Sequence, residues 1–226
     1  MTSAQPGHRP AIPNDQRGRR LAGHLRSAHP DHVRACLDPR LSDAVVQRLA
    51  DSERLAPRVA EVMLQRHGLD PQALDDLYRS ATPGQGPEVD IDPLLHYDLA
   101  QCAHLSGAAW HARSLRQCVS GKVVADLTAL IGQRARAFGL RNADLAVSSQ
   151  VLTGAAELAA AINADGFRCI SALLSSKDAV LRGLVGLRLS AGTPAEAAAF
   201  SDEHLRHASA IIERALAELR GTQHVA

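Results

Sequence analysis

A chain of 226 residues, 46% hydrophobic and 22% charged, is long and apolar enough to bury a real core, which sets aside wholesale disorder. Its formal net charge of +1 gives no global field to attract DNA, RNA or anionic lipid. An aromatic content of 3% is too small for the stacking platform that single-stranded nucleic acid needs, so the core must be built from Leu, Val, Ile and Ala.

In chain order, residues 1–30 read as a mobile basic tail. Arg9, Arg17, Arg19, Arg20 and Arg26 face the single acid Asp15, and Pro6, Pro10, Pro13, Gly7, Gly18 and Gly23 interrupt any helix. The tail shows no apolar stretch of the secretory kind. Residues 31–80 read as a helical N-terminal subdomain. Leu41, Val45, Val46 and Leu49 mark a short amphipathic helix, and Val59, Val62 and Met63 mark a second that begins near Pro57 and stops at Gly68. Asp70-Pro71 is a cap followed by a first-turn proline, and it opens a third helix through Leu74 and Leu77.

Residues 81–91, rich in Pro and Gly, form a loop and the boundary to a main helical body over 92–221. Asp92-Pro93 repeats the cap signal and starts a helix bearing Leu94, Leu95, Leu99, Cys102 and Leu105. A break is expected near Ser106-Gly107, then a helix through Trp110, Leu115 and Val119, and a junction at Ser120-Gly121. Beyond Gly139 come an Ala-rich helix over 151–162, a turn at Asn163-Ala164-Asp165-Gly166, and shorter helices through Ile170, Leu173, Val180, Leu181 and Leu184. Thr193-Pro194-Ala195-Glu196 is a capping box. The last helix carries Phe200, Ala208, Ile211, Ile212, Ala215 and Leu219 and ends at Gly221. Strand alternation is nearly absent and no fixed repeat is present, so the fold expected is an all-α, irregular multi-helix bundle.

Chemistry is harder to find. Ser120-Gly121-Lys122 lacks the phosphate-loop glycine five positions upstream, where Arg116 stands, and the following hydroxyl, where Val123 stands. His29, His32 and Cys36 are disturbed by Pro30, and His96, His104, His111 and Cys118 scatter. His204 and His207 form only a pair, whereas structural zinc wants four ligands in tight pairs. No serine lies in a nucleophile elbow. The acids Asp75, Asp76, Asp90 and Asp92 read as caps or solvated charge. Neither a catalytic residue nor a cofactor or metal site is expected. The four cysteines, Cys36, Cys102, Cys118 and Cys169, are too widely spaced for a disulfide frame and fit reduced, buried thiols. The least charged stretch, 145–156, is too short to span a bilayer, so a cytoplasmic chain without direct membrane insertion is expected. The basic residues Arg113, Arg116, Lys122, Arg134, Arg136 and Arg141, interleaved with apolar ones, form either a solvated face or a surface for an acidic partner.

The run from Leu105-Ser106-Gly107 through Trp110, Leu115-Arg116 and Val119-Ser120-Gly121 continues by Val124, Leu127 and Gly132 to Phe138-Gly139-Leu140-Arg141. It resembles the SctK family of type III secretion accessory proteins (YscK, PscK and OrgA types). The segment Ala179–Leu189, rich in Leu and Arg, is similar to that family's closing segment. Ala135 and Ala137 depart from it where a bulky aromatic is expected, and the basic tail has no counterpart.

The resemblance implies a non-enzymatic adaptor of the cytoplasmic sorting platform, peripheral to the inner membrane. It would bridge the inner-membrane ring protein SctD to the pod protein SctQ and, through the pods, meet the stator SctL and the ATPase SctN. Leu115, Arg116, Gly121, Leu127 and Gly132 are then fold determinants first. Two other classes compete: a helical nucleic-acid-binding regulator using the tail and the Arg113–Arg141 stretch, whose affinity would fall steeply with salt, and a small-molecule bundle with a polar-lined pocket.

Overall fold

A computed structural model describes residues 16–80, 92–190 and 201–223. Among the described residues every regular element is helical, with twelve α-helices, two short 3-10 turns and no strand, so the all-α expectation holds. The chain divides into two units, residues 1–86 and 87–226; residues 81–91, where a loop was expected, lie outside the described residues.

The first unit contains α1 (Gln16–Ser27), α2 (Pro30–Cys36), α3 (Asp43–Asp51), α4 (Ala56–Arg66) and α5 (Pro71–Ser80). Helix α4 is its hub and packs against the other four through Ala56, Ala60, Met63 and Leu64, none of which retains exposure. Gly68 ends the turn after α4 with a positive φ of 69°, a conformation open to glycine at little cost. The Asp70 carboxylate then accepts the Gln72 amide at 2.9 Å, the cap read from the sequence.

Helix α1 corrects the reading of residues 1–30 as a tail: the chain is helical from Gln16, while residues 1–15 lie outside the described residues. Leu21, Ala22 and Leu25 recur at helical spacing and are buried, an apolar stripe masked by the surrounding Arg and Gly. Two of the arginines are also engaged. Arg17 pairs with Asp75 at 3.3 Å, and the Arg20 guanidinium lies 4.6 Å from the Tyr78 ring centre, a cation–π distance. Tyr78 in turn meets His24 at 2.8 Å.

The second unit is organised round α6 (Leu99–Trp110) and α10 (Ala155–Ser175), with α7 (Ala112–Gln117), α8 (Gly121–Ile131), α9 (Gln133–Arg141), α11 (Ala179–Gly186) and α12 (Asp202–Gln223) about them. Four boundaries differ from expectation. Asp92-Pro93 opens only a 3-10 turn over Pro93–Leu95, and α6 takes a fresh cap from Asp98, whose carboxylate accepts the Ala100 amide at 2.8 Å. Helix α6 runs through Ser106-Gly107 and stops at His111. Helix α10 runs through Asn163–Gly166 for 21 residues without a turn. Helix α12 passes Gly221 and ends at Gln223. The junction at Ser120-Gly121 stands where expected. The Thr193–Glu196 capping box and Phe200 lie outside the described residues.

The glycines read as breaks serve instead as points of backbone contact. A Cβ on Gly107 would fall 1.8 Å from the Ile162 carbonyl oxygen, and one on Gly166 would fall 2.0 Å from that of Ala103. The earlier residue of α6 meets the later residue of α10 and vice versa, so the two helices run antiparallel. Gly139 makes the same approach from α9, with its missing Cβ 2.5 Å from the Ala108 carbonyl oxygen. Helix α6 is thus gripped by neighbours on two sides, and Cys102, Ala103, Ala108 and Ala109 have no exposure at all.

Gly107→Ala or Gly166→Ala gains about 0.5–1 kcal/mol of helix propensity. It must also displace backbone rather than a pliable side chain, and overpacking of that kind costs about 1–3 kcal/mol or more. The clash wins, so both variants should show lowered urea midpoints. In contrast, Gly23 in α1 is exposed with nothing within 4 Å of its missing Cβ. Gly23→Ala should therefore raise the midpoint of the first unit by the propensity gain alone.

Candidate functional site

The six basic residues singled out from the sequence fall on three consecutive helices and divide by what they touch. Arg113 and Arg116, three residues apart, stand exposed on α7, and Lys122 stands exposed in the first turn of α8. The other three are on α9. Arg134 donates through Nη2 to the Glu218 backbone carbonyl at 2.7 Å, and Arg141 donates through Nη2 to the Glu218 carboxylate at 2.9 Å. Arg214 of α12 reaches back to Asp144 at 2.9 Å and to the Asn142 side-chain oxygen at 3.1 Å. These contacts fasten α9 and the turn after it to α12. Arg136 is half-buried beside Cys118.

Inside the unit lies a polar cluster that sequence reasoning did not find. His111, 3% exposed, is the joint at which α6 ends and α7 begins. Its Nε2 donates to the Asp165 carboxylate at 2.7 Å, and Arg168 donates to the other carboxylate oxygen at 2.8 Å. Burial by itself would raise the Asp165 carboxyl. The hydrogen bonds and positive charges of His111 and Arg168 outweigh it and hold the group below its ordinary value. The His111 Nδ1 is buried without a hydrogen-bond partner. His111 had been weighed only as part of a scattered metal set and Asp165 as a turn residue. Their one sequence signal is a charged residue in the middle of an Ala-rich helical stretch.

Two further polar links hold connecting segments. Ser114, fully buried, donates to the Gln150 carbonyl and accepts the Leu152 amide, both at 3.2 Å, which pins the strand of chain before α10 onto α7. Arg188 donates to the carbonyls of Leu94 and Tyr97 and so ties the segment after α11 to the 3-10 turn. Asp92 accepts the Leu94 amide at 2.9 Å and pairs with Lys177 at 3.0 Å.

All four cysteines are free, and burial pushes each thiol above its ordinary value, Cys102 to about 12, which is the opposite of an activated nucleophile. The histidines are dispersed: His32 packs edge-on against His67 at 4.9 Å, His204 against Trp110 at 5.7 Å, and His207 meets the Glu203 carbonyl at 2.9 Å. Among the described residues no group of three His, Cys, Asp or Glu is placed to hold a metal ion, and no helix is long and apolar enough to cross a membrane. The polar groups present orient helices and close segments.

Asp165→Asn keeps the shape of the cluster and removes its charge, and loss of charge-assisted hydrogen bonds costs about 2–3 kcal/mol. Because the folded carboxyl is held below its unfolded value, its contribution is complete above that unfolded value, about pH 4. It fades as pH falls through the folded value. Urea midpoints of the parent and Asp165→Asn should therefore differ at pH 7 and converge below pH 4.

No family model matches the chain, and no solved structure matches it significantly. Two curated relatives do: the nodulation protein NolU of Rhizobium fredii and that of Sinorhizobium fredii (strain NBRC 101917 / NGR234). Each is 38% identical over 170 residues, covering 75% of this chain and 74% of the relative. At that identity and coverage, the chain belongs to the family of the nodulation protein NolU.

Proposed function

We propose that this chain is associated with a type III secretion apparatus and acts there, in the cytoplasm, as a non-enzymatic adaptor of the SctK kind. In that role it bridges the cytoplasmic domain of the ring protein SctD to the pod protein SctQ and, through the pods, connects to SctL and SctN. The reading is supported by where the SctK-like segment lies. Gly107, Leu115, Leu127, Phe138 and Gly139, all in that segment, are buried, Gly107 against the Ile162 backbone of α10 and Gly139 against that of Ala108, while Arg116, Val119, Gly121 and Gly132 of the same segment are exposed. The buried part of the pattern is a pattern of packing, as a shared helical body would require. Kinship with a nodulation protein adds a setting in which a bacterium meets a host.

An adaptor needs a stiff body and at least two separate docking surfaces, each of about 800 Å² if of standard size. Stiffness in the second unit is supported by the enclosure of α6 and by polar links that bind the turn after α9 and the segments before α10 and after α11. A nucleic-acid role for the basic stretch draws less support, because Arg134 and Arg141 are already committed to Glu218.

The test is deletion and capture in a strain that carries the apparatus. Deletion should abolish export while the membrane ring still assembles, and the tagged chain should bring down ring and pod proteins, identified by mass spectrometry. Export that survives deletion would refute the assignment.

A further inference from the structure

Helix α8 is apolar round most of its circumference, a composition that belongs to enclosed helices, yet it has an outward side. Leu127 and Ile131 are buried where α8 packs on α10. On the opposite arc Lys122, Ala125, Asp126, Ala129 and Leu130 are exposed, so three of five outward positions are apolar. Leu130 retains 54% exposure. Just before the helix, in the α7–α8 connection, Val119 is 86% exposed, the most exposed large apolar side chain among the described residues.

The charges round this strip are unbalanced. Arg113 and Arg116 on α7 and Lys122 on α8 are exposed and make no ion pair among the described residues, unlike Arg134 and Arg141. Asp126 is the one acid on the α8 face. A strip of Val, Ala and Leu with three cations at its α7 end complements a helix with apolar side chains along one stripe and carboxylates toward one end of it. From Lys122 to Leu130 the strip runs about 12 Å along the axis, room for two turns of a partner helix with anchors at i, i+3, i+4 and i+7.

We propose that the exposed strip running from Val119 to Leu130 along α8, with Arg113, Arg116 and Lys122 at its α7 end, docks an acidic amphipathic helix of another protein. The proposal takes from the adaptor reading only that the ligand is a protein, and it assigns the contact to one surface. Arg134 and Arg141 are outside it, since they hold α12.

The test uses the full chain and a fluorescein-labelled peptide of about 18 residues with leucines at the anchor positions and glutamates between, beside a matched peptide with lysines for glutamates. By fluorescence anisotropy the glutamate peptide should bind and the lysine peptide should not. The double variant Arg116→Glu/Lys122→Glu should weaken binding roughly tenfold or more, and Val119→Ser should weaken it severalfold. Arg182→Glu, an exposed charge reversal on α11, should leave it unchanged. All of these positions are exposed, and matching thermal melts confirm that the variants fold.

Failure of the glutamate peptide to bind, indifference to Val119→Ser, or equal weakening by Arg182→Glu would each overturn the proposal. So would a dimer of the parent chain that Val119→Ser dissociates in sedimentation, which would give the face to a second copy. Capture of ring and pod proteins without peptide binding would refute this surface alone. Peptide binding without such capture would refute the secretion role alone.

Discussion

Two helices meeting backbone to backbone organise the second unit. Gly107 against Ile162 and Gly166 against Ala103 leave no space for any side chain at the crossing, so the register of α6 on α10 is set by sterics rather than by a choice among packings. This solution suits a chain with few aromatics. Without large rings to fill gaps, density comes from bringing backbones together, and the alanines of α6 extend the contact on either side. A slide of either helix would drive a carbonyl oxygen into a helix surface that has a side chain. The crossing therefore behaves as a fixed point.

Much follows from that fixed point. The hydrogen bond of His111, at the end of α6, to Asp165 of α10 adds a polar link between the same two helices and orients the joint between α6 and α7. The Trp110 carbonyl at the same joint accepts the amides of Val147 and Ser148 at 3.2 and 3.1 Å, so the segment leading toward α10 is held where α6 ends. Gly139 brings α9 onto the opposite flank of α6, and Arg134 and Arg141 pass the constraint on to α12. Polar contacts here are consequences of the crossing. They lock an arrangement that the glycines already dictate.

This explains which parts of the fold the amino-acid sequence discloses. Punctuation is legible where it acts locally: Gly68 with its positive φ, the Asp70-Pro71 cap, the start of α8 after Ser120. At Ser106-Gly107 and Asn163–Gly166 the same residue types carry the opposite meaning, because what makes glycine necessary there is a helix about sixty residues away. A local signal cannot separate a glycine that frees the backbone from one that admits a neighbour. Asp92 and Asp98 pose a similar problem, since both cap, but only the second begins a helix that the core requires. Helix α1 was hidden for another reason. Its stripe of Leu21, Ala22 and Leu25 is short, and its arginines, two of which find partners on α5, give the segment the composition of a tail.

The candidate site was legible in part. The basic stretch was visible as a cluster in sequence, but its division into arginines that satisfy α12 and cations that pair with no acid among the described residues depends on Glu218, a residue 77 positions from Arg141. That division has a physical sense. A guanidinium spent on a carbonyl and a carboxylate of its own fold is fixed in place and partly neutralised, and it has little left for a partner. Arg113, Arg116 and Lys122 stand exposed on either side of Val119 in sequence, on helices that pack onto the unit built round this crossing. A surface of this kind is ordered before anything binds. Association on such a surface costs side-chain freedom at the rim but no rearrangement of the body beneath.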